Sequence, residues 1–238
     1  MTPPTDILAI AAHRDDVEQT CGGTLLKLAQ AGRRTAILDL TRGEMGTRGT
    51  ADDREREAGE AARILQVSWR EALDIPDGRV ENTFDNRLKV ARVVRTLRPR
   101  VVILPYWQGR HPDHYTASTL GYEACFLAGL KKLEIEGEAH RPFKIVYATL
   151  YCNVRPTFVV DITEQFEARF AALMAYKSQY ADQSEGKGLF PAPAEIRERV
   201  ETMARFYGLL AGVKYAEPFL QKEVGLVDDV TLLPVASL

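Results

Sequence analysis

Short apolar runs alternate, over the first two-thirds of the chain, with longer stretches in which apolar residues recur every three or four positions. Residues 7–12 are an unbroken apolar run, the pattern of a strand covered on both faces. Leu25, Leu26, Leu28 and Ala29 then follow helical spacing up to Gly32. The cycle repeats with a buried strand over 35–40, and Asp52 or Asp53 caps a helix running through Ala58, Ala61, Ala62 and Leu65. A short strand is predicted over 73–76, closed by the turn signal Pro76-Asp77-Gly78. A helix over 86–97, a strand over 101–104 and a helix from about His114 to Leu130 follow.

Further on, strands are predicted over 144–152 and 157–160, with Asp161 or Thr163 capping a helix to Met174. Residues 176–193 read as a surface loop, 195–210 as a last helix stopped at Gly212, and 213–238 carry no periodicity. Strand and helix alternating in this way predict a Rossmann-like α/β fold. Its sheet is mostly parallel, flanked by helices on both faces, with a C-terminal helical and loop extension. The length of 238 residues fits one domain spanning 1–238.

Two polar turns break this pattern in the same way. The first apolar run ends in His13-Arg14-Asp15-Asp16, and the run over 101–104 leads into Arg110-His111-Pro112-Asp113-His114. If both runs are parallel strands, both turns emerge on the sheet edge where open α/β folds place their ligands. Three of the four histidines lie in these turns. Imidazole and carboxylate donors without a nearby thiolate suit one Zn²⁺, with Fe²⁺ or another divalent transition ion as the alternative. The pool of His13, Asp15, Asp16, His111, Asp113 and His114 exceeds the three ligands of a catalytic site. The surplus supplies a carboxylate to take a water proton and an imidazole to stabilise an oxyanion. Spacing leaves open which residue has which role.

Composition narrows the partners. A formal net charge of -2, with Lys and Arg scattered among Asp and Glu, gives no footprint for nucleic acid or an anionic membrane. No apolar run approaches the roughly 20 residues of a membrane span, and Met1-Thr2-Pro3-Pro4-Thr5 lacks the basic and apolar regions of a signal peptide. Cys21, Cys125 and Cys152 are widely spaced and odd in number, as in a reducing compartment, so a cytoplasmic location is expected. Gly22-Gly23 departs from the dinucleotide fingerprint and reads first as close helix-to-strand packing, with an anion cradle as the second reading.

These motifs resemble the LmbE-like (PIG-L) zinc N-deacetylases of N-acetylglucosaminyl compounds. Ala12-His13-Arg14-Asp15-Asp16 stands where that family usually has A-H-P-D-D, and His111-Pro112-Asp113-His114 is its H-x-D-H. The resemblance continues through the glycine loop over 41–49 and through 175–179. The closing segments 207–208 and 212–219 look like the branch that makes bacillithiol. It implies His13, Asp16 and His114 as metal ligands and Asp15 as the general base. It further implies His111 as oxyanion stabiliser or acid for the leaving amine, with Asp113 orienting its ring. Arg14 replaces the usual proline, its side chain pointing away or altering the charge felt by Asp15.

The implied substrate is N-acetylglucosaminyl malate, whose carboxylates call for cationic side chains; Arg54 and Arg110 are the candidates. Mycothiol-type conjugates and N-acetylated chitooligosaccharides are the alternative substrates. The branch further implies a homo-oligomer, hexameric or built from trimers. Two other functions compete: a two-metal phosphoesterase, and a non-catalytic sugar-binding protein. The second requires loss of the base or the oxyanion group, and Asp15 and His111 are both present.

Overall fold

The computed structural model describes residues 4–149, 152–181 and 191–236. Its strands are β1 (Ile7–Ala11), β2 (Thr35–Asp39), β3 (Trp69–Ala72), β4 (Val101–Pro105), β5 (Lys144–Ala148), β6 (Phe158–Asp161) and β7 (Ala216–Leu220). They form one sheet in the order β3-β2-β1-β4-β5-β7-β6, parallel from β3 to β5, with β7 antiparallel to both its neighbours. The helices are α1 (Asp16–Thr20), α2 (Gly22–Gln30), α3 (Ala51–Ile64) and α4 (Phe84–Leu97). They continue with α5 (Pro112–Ala128), α6 (Phe166–Met174), α7 (Lys177–Tyr180) and α8 (Pro193–Ala211). The mostly parallel α/β architecture expected from the apolar pattern is the one observed.

Side chains alternate across each strand, so β1 feeds two cores. Leu8 and Ile10 pack with Leu38, Val102 and Leu104 against Val90, Val94 and Leu120 of α4 and α5. Ile7, Ala9 and Ala11 pack with Ile37, Ile103 and Val146 against Val17, Cys21 and Leu25 of α1 and α2. With both faces covered, β1 and β2 are buried along their whole length.

Three expectations shift. The strand predicted over 73–76 forms instead over Trp69–Ala72, because its charges are satisfied. Arg70 makes a two-pronged bond to Asp39 at 2.8 and 3.0 Å and reaches Glu18 at 2.6 Å, while Ile75 goes to the core. Within the predicted loop over 176–193, α7 is a helical turn, and residues 182–190 lie outside the described residues. The aperiodic tail contains β7, a buried strand, and in the predicted strand 144–152 the described pairing ends at Ala148.

Strand β7 also answers the question posed by Gly22-Gly23. Glu217 accepts hydrogen bonds from the Gly23 and Thr24 N–H groups at 2.8 and 2.7 Å and pairs with Arg169 at 3.1 Å. The anion at the α2 N-terminus is thus the chain's own carboxylate, favoured there by the free N–H groups and the helix dipole. A Cβ on Gly23 would lie 3.0 Å from both Glu217 and Ile162, so the close packing is present too. Replacing Glu217 removes the carboxylate partner of Arg169 and leaves the Gly23 and Thr24 N–H groups and the Thr24 hydroxyl without their acceptor. Glu217→Ala should therefore lower the unfolding free energy by about 3 kcal/mol, the order for stripping one partner from a buried ion pair. A denaturant titration checks this; a loss under about 1 kcal/mol would show that the cap is a minor contact.

Candidate metal centre

Strands β1 and β4 are neighbours at the point where the winding of the sheet reverses, which opens a crevice at their carboxyl ends. The turn after β1 carries His13, Asp15 and Asp16; the segment after β4 leads into the N-terminus of α5 with His111, Asp113 and His114. Residues about a hundred positions apart therefore meet. His13 Nδ1 lies 3.2 Å from His114 Nε2. Asp16 completes the set, with Oδ1 3.2 Å from His114 Nε2 and Oδ2 3.6 Å from His13 Nδ1. Ligand atoms held about 2.0–2.1 Å from a tetrahedral cation sit about 3.3 Å from one another. Imidazole and carboxylate donors at these separations could share a divalent cation, as could the ring nitrogens of His13, His111 and His114, which lie within 4.8 Å of one another. The backbone N–H of His13 holds Asp16 Oδ2 at 3.0 Å, fixing that carboxylate toward the pair.

The far side of the His13 ring is equally constrained. Its Nε2 lies 3.2 Å from Asp113 Oδ2 and 3.1 Å from Asp77 Oδ1. Asp113 is itself anchored by the Gly78 and Val80 N–H groups at 2.9 and 3.2 Å. A carboxylate set behind an imidazole in this way fixes the ring's tautomer and orientation. The Asp113 carboxylate therefore orients His13, where it was expected to orient His111. Its link to His111 runs through the backbone: the Asp113 N–H donates to His111 Nδ1 at 3.2 Å, making His111 the N-cap of α5. Asp77 was legible in the sequence only as a turn residue; nothing in its spacing showed that its carboxylate reaches the His13 ring.

The electrostatics favour positive charge at the centre. Burial works against a charged His13, yet Asp113, Asp16 and Asp77 outweigh it and push the ring up to about 12. Burial likewise opposes ionisation of Asp16, but His114 and His13 hold its carboxyl well below the usual range. His111 is held below its ordinary value, first by lost hydration and then by the His13 and His114 rings. With Nδ1 occupied as an acceptor, a neutral His111 carries its proton on Nε2.

Asp15 is set apart from the ligands. Its φ of 99° is a left-handed conformation rare for a side-chain-bearing residue, a strain of the kind retained at functional sites. Its Oδ1 faces Arg54 Nη2 at 3.2 Å, and its Oδ2 accepts from the Tyr180 hydroxyl at 2.5 Å. Burial raises its pKa to about 6, Arg54 acting in the opposite direction, so the carboxylate is basic enough to accept a proton near neutrality. Arg54, expected to meet an anionic aglycone, is buried and committed to Asp15 and to the Arg14 carbonyl. Arg110 is exposed in the loop beside His111. Arg14 turns away from the centre to the Ala51 carbonyl at 3.0 Å and to Glu55, which resolves the question raised by the missing proline.

Tyr180 was not singled out from the sequence. It reaches Asp15 because the glycine loop and α7 clasp each other. Arg48 donates to the Gln179 carbonyl and Gln179 donates back to the Arg48 carbonyl. Gly49 has a φ of +69°, and a Cβ there would strike Ser178 at 2.6 Å.

Removal of the carboxylate behind His13 should be felt at the metal. Asp113→Ala should weaken divalent-metal binding about 10–100-fold, as for other carboxylates behind a ligating histidine. Competition with a chromophoric chelator measures this, and unchanged affinity would show that Asp113 does not support the ligand.

The chain is similar to several known proteins. A sequence model of the PIG-L family, described as GlcNAc-PI de-N-acetylase, matches residues 8–125. The diacetylchitobiose deacetylase of Thermococcus kodakarensis is 32% identical over 228 residues, covering 89% of this chain and 80% of the relative. The crystal structure of a conserved protein from Thermus thermophilus superposes with a TM-score of 0.86 at 41% identity, covering 94% of this chain and 98% of that one. A 4-oxalmesaconate hydratase of Pseudomonas putida is 29% identical over 206 residues, covering 75% of each chain.

Proposed function

This chain belongs to the PIG-L, LmbE-like deacetylase family, and we propose that it is a zinc-dependent hydrolase removing the N-acetyl group from an N-acetylglucosaminyl compound. The observation that carries the reading is the meeting of His13 Nδ1 and His114 Nε2 at 3.2 Å with Asp16 against both, and with Asp15 as the next residue. The relative that acts on diacetylchitobiose supports an N-acetylated amino sugar as the substrate class. Within that class we assign N-acetylglucosaminyl malate of bacillithiol biosynthesis, on the closing segments 207–208 and 212–219. Acetylated chitooligosaccharides and mycothiol-type conjugates are the alternatives.

When bound, zinc polarises the amide carbonyl and makes a water nucleophilic near neutral pH. The chain's own groups do the rest. Asp15 takes the proton of the attacking water, held in place by Arg54 on one oxygen and Tyr180 on the other. His111 presents Nε2–H to the carbonyl oxygen as it becomes an oxyanion, and the proton that Asp15 took from the water passes to the leaving amine as the C–N bond breaks. Asp113 acts through His13 and through its own N–H on His111. We assign to Arg110, exposed beside His111, the contact with carboxylates on the aglycone.

We also read the protein as cytoplasmic and homo-oligomeric, trimer-based or hexameric. Its three cysteines are free, and among the described residues no helix is long and apolar enough to cross a membrane. The segment after β7 exposes Val224 and Leu226 at 96% and 94%, apolar area that a second copy would cover.

Two variants separate the roles. His111→Ala should retain the metal and lose about 10²–10³ in turnover, whereas His114→Ala should lose metal and turnover together. Metal analysis beside an acetate-release assay reads both, and an empty site in His111→Ala would overturn the ligand assignment. The substrate test compares N-acetylglucosaminyl malate with N-acetylglucosamine on protein of known zinc content. One zinc per chain and a strong preference for the malate compound are expected. Two metals per chain would favour the phosphoesterase. Hydration of 4-oxalmesaconate without acetate release would place the chain with the hydratase.

A further inference from the structure

Where β7 ends, the chain keeps the strand's alternation. Leu220 pairs with Tyr147 of β5 and packs in the same core cluster. Lys222, two residues on, falls on the same face. Its Nζ lies 4.6 Å from the centre of the Tyr122 ring and 5.2 Å from the centres of the Trp107 and Tyr147 rings. Rings from three places, α5, the segment after β4, and β5, thus gather at one ammonium. The neighbours of Lys222 hold it there. The Gln221 N–H donates to the Thr157 hydroxyl at 3.0 Å, and Glu223 pairs with Lys144 at 2.7 Å.

Aromatic faces attract a cation, tryptophan most strongly, and cages of such rings bind ammonium ligands in other proteins. Here the chain's own lysine takes that place, so the cage ties one part of the chain to another. Trp107 is half-buried, packed on Tyr106 at 4.4 Å and edge-on to Tyr147 at 4.7 Å. Gln108, Gly109, Arg110 and His111, which follow it, are all exposed. Trp107 is therefore where the segment from β4 to α5 leaves the core, four residues before His111. The other end of that segment is the α5 N-cap, and Tyr122 on α5 is a second wall of the cage.

We infer that Lys222 is a positioning residue: its ammonium, held by Trp107, Tyr122 and Tyr147, seats the segment from β4 to α5 and so aims His111 at the amide. This rests on the deacetylase reading of the site. His13 and Asp16 come from the other polar turn and His114 lies within α5, so the metal does not depend on this tie. Contacts of an ammonium with aromatic faces bias an equilibrium by about 2–30-fold. That is enough to decide how often an exposed segment sits in its working place.

The test uses zinc-loaded full-length protein and two variants of an exposed residue, which the fold tolerates. Lys222→Met keeps the stem and removes the charge; Lys222→Arg keeps the charge. Trp69 and Trp107 are the two tryptophans, so protein labelled with 5-fluorotryptophan gives two ¹⁹F NMR signals. In Lys222→Met one signal should move and the other hold. Its kcat for acetate release from N-acetylglucosaminyl malate should fall about 3–10-fold at unchanged zinc content, and Lys222→Arg should restore it. On a His111→Ala background, Lys222→Met should cost nothing further, because the group it aims is gone. Two ¹⁹F signals that hold, or a kcat that holds, would overturn the positioning role and leave the deacetylase standing. A loss as large on the His111→Ala background, or one that arginine does not restore, would overturn it as well. No acetate from any of the proteins, the unaltered one included, would overturn both readings.

Discussion

The centre depends on one imbalance: carboxylates crowd around His13 where the chain supplies too little positive charge. Asp16 faces one ring nitrogen, and Asp77 and Asp113 face the other. Buried charges persist when they are paired or coordinate a metal. A divalent cation shared by His13, Asp16 and His114, as we propose, would meet that requirement, and Asp77 and Asp113 would then hold His13 for it. The family's deacetylase chemistry follows from what is left over, a carboxylate and an imidazole beside the cation that are not spent on holding it.

Packing keeps those donors within reach of one another. Helix α1, which begins at Asp16, is pinned at Glu18 by Arg70 and at its carbonyls by Arg169, and Arg169 is tied to the Glu217 cap of α2. The antiparallel strand β7 thus reaches from the far half of the sheet to brace the first polar turn. On the other flank, α3 and α7 carry Arg54 and Tyr180 to opposite oxygens of Asp15. Two segments that looked unrelated along the chain are both needed to hold one carboxylate in a strained conformation.

Strands β1, β2 and β4 were legible because a strand buried on both faces must be apolar throughout, and the polar turns after β1 and β4 stood out against those runs. Their convergence is a property of strand order, and the alternation of strand and helix already implied it. Strand β3 was misplaced because its arginine and glutamate look solvent-facing until Asp39 and Glu18 are brought to Arg70. Strand β7 was missed because Pro218 and Glu217 argue against a strand. Its pairing with β5 is confined to Phe219 and Leu220, beyond Pro218, and Glu217 is spent on capping α2. The partner of Asp113 could not be read at all: the family resemblance implied the His111 ring, and folding delivers its carboxylate to His13, a hundred residues away.

The most direct test of the shared cation is X-ray absorption at the zinc edge on protein loaded with one equivalent of zinc. Two imidazole nitrogens at about 2.0–2.1 Å and carboxylate oxygen at about 2.0–2.2 Å, with no sulfur, are predicted. A sulfur ligand at about 2.3 Å, or a shell without imidazole, would contradict the account, because the ion would then be held somewhere other than between the two turns.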